Sequence, residues 1–394
     1  MKNKIVILTR ALPMHGLGGM EIVVWDLACE LVRKGFPVTI ITTRIPNHSG
    51  VFDQDGVRVI PLENVPSGRY SRSWWIKSRL YFERHFAKSA VSVLSVSAGG
   101  FGLLKLKHQY PHIPFVMQAH GTSWGEFESK WRTRRLRSLV SSVRNITWLP
   151  RDLLAYRYFD AVVAVGERVY AEVLRPPVSW SLPSENVYLI TNGIDTSLFK
   201  PSTNGRHQRR QVFGIEDDTP VVVSASRLHA QKGVDHCLKT FAQLVAKLPG
   251  ALYLIAGDGP ELSRLESLSK RLGLTKSVRF IGKLDRRELS GCLQAADAFL
   301  FLTDRVEVGL PLNVLEALAS GLPTIISDHL SSFQSPLLHH VSPNKTLIIS
   351  SLLESILTKT KIERASGLPE NYELHYSADQ YIDLIDSLSH QKTE

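Results

Sequence analysis

Short apolar runs alternate with longer amphipathic stretches along most of the chain. The first run, Lys4-Ile-Val-Ile-Leu8, has the length of a strand. A glycine-rich loop, Gly16-Leu-Gly-Gly19, follows it, and a helix is predicted from about Glu21 to Lys34, ended by Gly35. A second apolar run, Val38-Thr-Ile-Ile-Thr42, comes next. This is a strand–loop–helix–strand unit, and continuously apolar strands indicate a parallel sheet covered on both faces. Further strands are predicted at Val57–Pro61, Val91–Val96, Phe115–Gln118 and Ala161–Val165. The turn-rich segment Pro201-Ser-Thr-Asn-Gly205 and the polar stretch His207–Gln211 read as a linker. The alternation then restarts. Strands are predicted at Val221–Ala225, Ala251–Ala256, Val278–Ile281, Ala298–Leu302 and Thr324–Ser327, and helices at Val234–Leu248, Glu261–Leu272 and Pro311–Ser320. The expected class is α/β, with two Rossmann-like open parallel-sheet domains at 1–200 and 201–377. Ligands in such sheets bind beyond the carboxyl ends of the strands, so both halves are expected to face a cleft.

Composition narrows the class. The chain has 394 residues, 43% apolar and 21% charged, which suits two globular domains and excludes a disordered or fibrous protein. Cys29, Cys237 and Cys292 are too scattered for a disulfide framework or a metal site. No stretch approaches the roughly 18–20 apolar residues of a spanning helix. Ile5–Leu8 is too short for a secretory signal. A soluble, cytoplasmic protein is expected. The net charge of +10 is uneven: from Arg58 to Asp160 there are 17 Lys/Arg against 6 Asp/Glu, leaving the remainder near neutral. An excess confined to one region points to an anionic partner, such as a phosphorylated substrate or an anionic membrane. No nucleic-acid module accompanies it, so nucleic acid is not expected as a partner.

Candidate chemistry lies at the predicted strand ends. The Gly16–Gly19 loop reads equally as an anion cradle at a helix N-terminus and as a flexible turn. Arg227 and Lys232 stand five residues apart in Ser226-Arg-Leu-His-Ala-Gln-Lys-Gly233, directly after a strand. A guanidinium fork with an ammonium suits a diphosphate, and two solvated surface cations are the bland alternative. Pro311 fits the first position of a helix, which leaves free N–H groups near Leu312 and Asn313 as a second anion cradle. Glu316, one turn further on beside leucines, is a carboxylate that needs partners if buried, and sugar hydroxyls are suitable ones. His120 closes the strand that begins at Phe115, at the edge where ligands gather.

In order and spacing, Gly18-Gly19-Met20-Glu21, Asn192-Gly193-Ile194-Asp195, Ser226-Arg227-Leu228 with Lys232-Gly233, Ala256-Gly257-Asp258-Gly259-Pro260 and Glu316-Ala317-Leu318-Ala319-Ser320-Gly321 resemble one family. It is the retaining GT-B fold glycosyltransferases of family four, or glycosyl transferases group 1, and the resemblance covers residues 4–330. The resemblance implies a nucleotide-sugar donor held by the second half and a carbohydrate or lipid-linked acceptor. It implies that Arg227 and Lys232 grip the diphosphate and that Glu316 holds the ribose. Gly18, Gly19, Gly309, Leu310, Leu312 and Asn313 would complete the donor site. Glu307 and His120 would stand near the transferred sugar. No metal or cofactor is implied, and a helix at about 378–388 is expected to return to the N-terminal domain. One departure is visible: Glu307 and Glu316 are separated by one residue more than the family's acidic pair, and alignment on Gly309-Leu-Pro311 puts Val308 at the first acidic position.

The function implied is transfer of a hexosyl group with retention, in synthesis of cell-surface polysaccharide, glycolipid or a related glycoconjugate. The alternatives are a sugar-nucleotide epimerase on the same fold and a non-catalytic binding protein. Ser73–Phe86 mixes aromatics with cations, and Lys130, Arg134, Arg137 and Arg144 recur at helical spacing. Residues 58–160 therefore read either as a surface for an anionic membrane at its cytoplasmic face, with the aromatics at the interface, or as helices packed on the sheet with solvated cations.

Overall fold

The computed structural model describes residues 4–16, 18–125, 148–304, 309–330, 333–359 and 364–392. The chain forms two compact units, Met1–Gly193 with Asn371–Glu394, and Ile194–Glu370.

In the first unit the strands are β1 (Lys4–Leu8), β2 (Val38–Thr43), β3 (Phe52–Gln54), β4 (Val57–Leu62), β5 (Ala90–Val96), β6 (Phe115–Ala119), β7 (Ala161–Ala164) and β8 (Val187–Leu189). They form one sheet in the order β3-β4-β2-β1-β5-β6-β7-β8. All neighbours are parallel except the β3–β4 hairpin. The strand order reverses between β1 and β5. Side chains of β1 alternate between two apolar layers: Ile5 and Ile7 meet Val24, Leu27 and Leu31, whereas Val6 and Leu8 meet Trp74 and Phe82. Each large side chain so buried is worth about 1.5–3 kcal/mol. This is why the strands read as unbroken apolar runs.

The helix after β1 runs Gly19–Arg33 and so begins two residues before the position expected. The last helix, Leu374–Gln391, is part of the first unit. It buries Tyr381, Leu384, Ile385 and Leu388 in the layer that holds Ile5 and Ile7. Lys34 reaches Asp379 at 2.7 Å, and Lys392 reaches Asp160 at 3.0 Å. Ser377 donates to the Thr191 carbonyl at 2.8 Å, so the end of the first segment and the returning chain are bonded side by side.

The second unit contains β9 (Val221–Ala225), β10 (Leu252–Ala256), β11 (Val278–Gly282), β12 (Ala298–Phe301), β13 (Thr324–Ser327) and β14 (Leu338–Val341). Their order is β11-β10-β9-β12-β13-β14, all parallel. Numbered within the unit, this is the 3-2-1-4-5-6 arrangement of a dinucleotide-binding sheet, with its switch point between β9 and β12.

The division falls after Gly193, seven residues before the expected boundary, because Phe199 is buried in the second unit and Ser290 donates to the Leu198 carbonyl at 2.7 Å. The polar stretch His207–Gln211 is not a linker. It lies in a helix, Thr203–Phe213, capped by Ser202 and ended by Gly214. Its inward side chains are charged, which disguised it. Arg210 is fully buried and bonds Asp297 at 2.7 Å together with the carbonyls of Ala295, Glu216, Asp217 and Thr219. Arg206 and Arg364 also reach Asp297, at 2.8 and 3.2 Å. Arg210→Met keeps the volume but removes the buried cation from Asp297 and its donors from the Ala295 and Thr219 carbonyls. Removing one partner of a buried charge pair costs about 3–5 kcal/mol. The variant should therefore lose at least about 3 kcal/mol in urea denaturation of the full chain. A loss below about 1 kcal/mol would show that the arginine is not the unit's polar anchor.

Candidate functional site

The loop leaving β9 is Ser226–Gly233, and it sits at the switch point of the second unit. It contains a single turn, Ala230–Lys232, and ends at Gly233 with φ +63°. A Cβ at Gly233 would lie 1.6 Å from the Leu302 carbonyl oxygen at the end of β12. Only glycine allows that approach and that conformation together. The Ala256–Pro260 segment after β10 supports the loop from the other side. Leu228 donates to the Asp258 carbonyl at 2.9 Å, and Glu261 donates to the Leu228 carbonyl at 3.0 Å. Gly257, at φ +136°, has no room for a Cβ, which would lie 1.8 Å from the Ser226 carbonyl oxygen. Thr303 closes the frame by donating to the Gln231 carbonyl, and Ser327 donates to the Thr303 carbonyl at 2.8 Å. Arg227 is thus exposed on a rigid loop. Lys232 is half-buried, with Nζ 5.6 Å from the Phe301 ring centroid.

The helix that follows β12 is Leu312–Ala319, with Pro311 as its N-cap, one position earlier than expected. Leu312 and Asn313 carry N–H groups that have no acceptor within a helix. The Asn313 amide donates to the Ala225 carbonyl, which fixes this N-terminus beside the end of β9. Gly309 and Leu310 lie half-buried at the entry to the helix. Glu316 is 3% exposed, and Arg286 Nη1 stands 3.5 Å from its Oε1. The Arg286 guanidinium lies 5.0 Å from the Phe199 ring centroid. Burial demands a partner for the carboxylate, and Arg286 is one that the sequence reading missed. Its only signal was its place after the Asp285 cap of the helix Arg286–Ala295. The structure therefore brings Arg227, Lys232, Leu312 and Asn313 to one end of one sheet, with Glu316 a turn further along the same helix. Glu307 and Val308 lie outside the described residues.

In the first unit Gly18 is the N-cap of the first helix and Gly19 its first residue; no side chain makes a capping hydrogen bond there, but the Glu21 carboxylate lies against Gly18 and leaves no room for a Cβ. His15 holds the loop before it. Its Nδ1 accepts from the Leu12 N–H at 3.1 Å, and its Nε2 lies 3.2 Å from Thr43 Oγ1. That hydroxyl donates to the Arg10 carbonyl at 2.6 Å, so it accepts from Nε2–H. Burial lowers the His15 pKa. His120 follows β6, with Nε2 3.0 Å from Gln118 Oε1. Burial, with a smaller contribution from Arg10, pushes its pKa down to about 4. Arg10 is a second residue missed from the sequence. It stands just past the end of β1, the kind of position that marked Arg227 in the other half.

The aromatics of the basic region differ from the interfacial placement expected of them. Trp74, Trp75, Phe82 and Phe86 are core residues, and the two indole N–H groups donate to the Gly99 and Ala98 carbonyls, each at 2.9 Å. Among the described residues, the exposed large apolar side chains there are Ile76, Leu80, Trp148, Leu154 and Tyr158. The Lys130–Asn145 segment lies outside the described residues. Among those described, no helix is long and apolar enough to cross a membrane.

Two Rossmann-like parallel-sheet units in one chain, the second with paired cations and a helix N-terminus at its switch point, define the GT-B class. Comparison with known proteins agrees. Residues 17–198 match the model of Glycosyltransferase Family 4, and residues 205–356 that of Glycosyl transferases group 1. The chain is 32% identical over 348 residues to mannosylfructose-phosphate synthase of Agrobacterium fabrum, covering 81% of this chain and 73% of that protein. It is 31% identical over 231 residues to the putative glycosyltransferase EpsF of Bacillus subtilis, covering 58% of this chain but only 55% of that protein. The solved sucrose-phosphate synthase of Thermosynechococcus elongatus superposes with a TM-score of 0.74 at 19% identity, covering 98% of this chain and 99% of that one. The chain belongs to the group 1 glycosyltransferases of GT-B fold.

If the Leu302 carbonyl dictates the loop, Gly233→Ala should displace Arg227 and Lys232 with little effect on the rest of the unit. Binding of a nucleoside diphosphate, measured by calorimetry, should weaken at least about tenfold, whereas global stability should fall by only about 1–3 kcal/mol. Unchanged binding would separate the loop's shape from anion recognition.

Proposed function

We propose that this chain moves a hexosyl group from a nucleotide-sugar donor to a carbohydrate or lipid-linked acceptor, with retention of anomeric configuration. The observation that carries this reading is the braced Ser226–Gly233 loop, which holds Arg227 and Lys232 at the switch point beside the Leu312–Ala319 N-terminus. Two cations and two free amides suit a leaving diphosphate. In the proposed reaction the bond from the anomeric carbon to the diphosphate oxygen breaks while the acceptor oxygen bonds to the same face. The departing oxygen takes the acceptor's proton. The protein then needs to stabilise charge on the leaving group, which pre-oriented donors do without reorganising. We propose no metal in this role, since Arg227, Lys232 and the helix N-terminus meet the charge. Glu316 is assigned to the ribose hydroxyls, Gly18 and Gly19 to the diphosphate, and His120 to the transferred sugar. We assign Glu307 to that sugar as well. The name of the Agrobacterium relative, mannosylfructose-phosphate synthase, supports a hexose as the group moved.

The test is release of nucleoside diphosphate from a panel of nucleotide-sugars with acceptor-rich extract. Arg227→Ala and Lys232→Ala should each fold normally and slow transfer by a factor of roughly 10²–10³. Turnover near that of the wild type in either variant would remove the clamp from the mechanism.

A membrane-borne acceptor is favoured by one observation. The exposed Ile76 and Leu80 share the helix Arg72–His85 with Lys77 and Arg84. Each cation near an anionic surface contributes about 1 kcal/mol. The protein should therefore sediment with anionic but not neutral liposomes at low salt, and high salt should release it. Equal recovery in both supernatants at low salt would point to a soluble acceptor.

A further inference from the structure

The C-terminal helix is connected to His120 by a line of buried polar groups. Residues 116, 118 and 120 point to the same side of β6 and its extension. Val116 belongs to the apolar layer that the C-terminal helix covers, together with Leu94, Val96, Val163, Leu384 and Ile385. Gln118 places an amide in that layer at 1% exposure, and Tyr381 brings a phenol at 2%. Two polar side chains buried there are costly unless paired. They are paired: Gln118 Nε2 donates to Tyr381 Oη at 2.9 Å. As the amide is placed, its carbonyl is turned away from the phenol and toward the imidazole. That carbonyl oxygen accepts only, so the His120 Nε2 lying 3.0 Å away must carry the ring proton. The neutral ring then keeps its lone pair on Nδ1, which is the only ring nitrogen able to accept.

We propose that Tyr381, acting through Gln118, holds His120 as the Nε2–H tautomer so that Nδ1 accepts a hydrogen bond from a hydroxyl group of the transferred sugar. Gln118 and Tyr381 are positioning residues. The role of His120 rests on the reading of the chain as a glycosyltransferase, whereas the tautomer does not. Burial keeps the ring neutral down to about pH 4, so one tautomer serves over the whole neutral range.

The experiment uses the full chain labelled with 15N. Long-range proton–nitrogen spectra at pH 7 distinguish a protonated from an unprotonated ring nitrogen, and His120→Asn identifies the signals. The wild type should show Nε2 protonated and Nδ1 bare. Gln118→Leu should turn these signals into a mixture of tautomers and lower kcat about tenfold, the worth of one hydrogen bond. Donor affinity should stay within about twofold, so that the loss is in kcat and not in KM. Tyr381→Phe keeps the ring in its slot and removes only the oxygen, so it should act in the same direction by about threefold. A wild-type ring protonated at Nδ1, or tautomers unchanged in both variants, would overturn the relay. A shifted tautomer with unchanged kcat would overturn the contact between Nδ1 and sugar. The spectra need no donor, so failure of every nucleotide-sugar to turn over would count against the proposed function while the relay stood or fell on its own signals.

Discussion

The candidate donor site depends on two backbones meeting where a side chain would not fit. At the end of β9 the chain must turn under β12, and the Leu302 carbonyl occupies the place a Cβ of residue 233 would take. From the other side the Ser226 carbonyl excludes a Cβ at residue 257. The loop carrying Arg227 and Lys232 is held between these contacts by main-chain hydrogen bonds, so the backbone positions of its two cations are set by the fold. Pre-orientation of this kind lets charged groups act on a transition state without reorganising. The motif glycines are therefore parts of the frame that aims the cations.

Both units place polar groups inside, and in each they do a different kind of work. In the second unit three arginines converge on Asp297, and Arg210 ties a helix to four carbonyls. That arrangement fixes how the first helix of the unit lies on the sheet. In the first unit the buried polar groups form lines toward the strand ends. One runs from Leu12 through His15 to Thr43, and the other from Tyr381 through Gln118 to His120. Each contains an imidazole whose pKa is lowered by burial, so each ring is neutral near pH 7 and has one proton to place. The C-terminal helix thus fills an apolar layer and also supplies a polar contact near the sheet's carboxyl edge.

Much of this was legible in the order of residues. Strands such as Lys4–Leu8 and Val221–Ala225 are apolar throughout because they lie between two layers, and that needs no partner to be recognised. The glycines after β9 and β10, the proline before Leu312 and the cations at positions 227 and 232 mark strand ends through local stereochemistry, which is encoded locally. The resemblance of these segments to one family extended that reading to the donor site. What misled was also local. His207–Gln211 looks like a linker because its one buried side chain, Arg210, is charged, and the aromatics of Ser73–Phe86 look like an interface because pattern alone does not tell a core from a surface.

What the sequence determined by itself was the alternation of elements, the class of fold and the strand ends at which Arg227, Lys232 and Pro311 stand. Each follows from the stereochemistry and periodicity of neighbouring residues. Only the tertiary structure decided the partners: Arg286 for Glu316, Asp297 for Arg210, and Tyr381 for Gln118. These pairs lie 30, 87 and 263 positions apart in the chain. Their pairing depends on which elements become neighbours in space, and spacing along the chain does not carry that information.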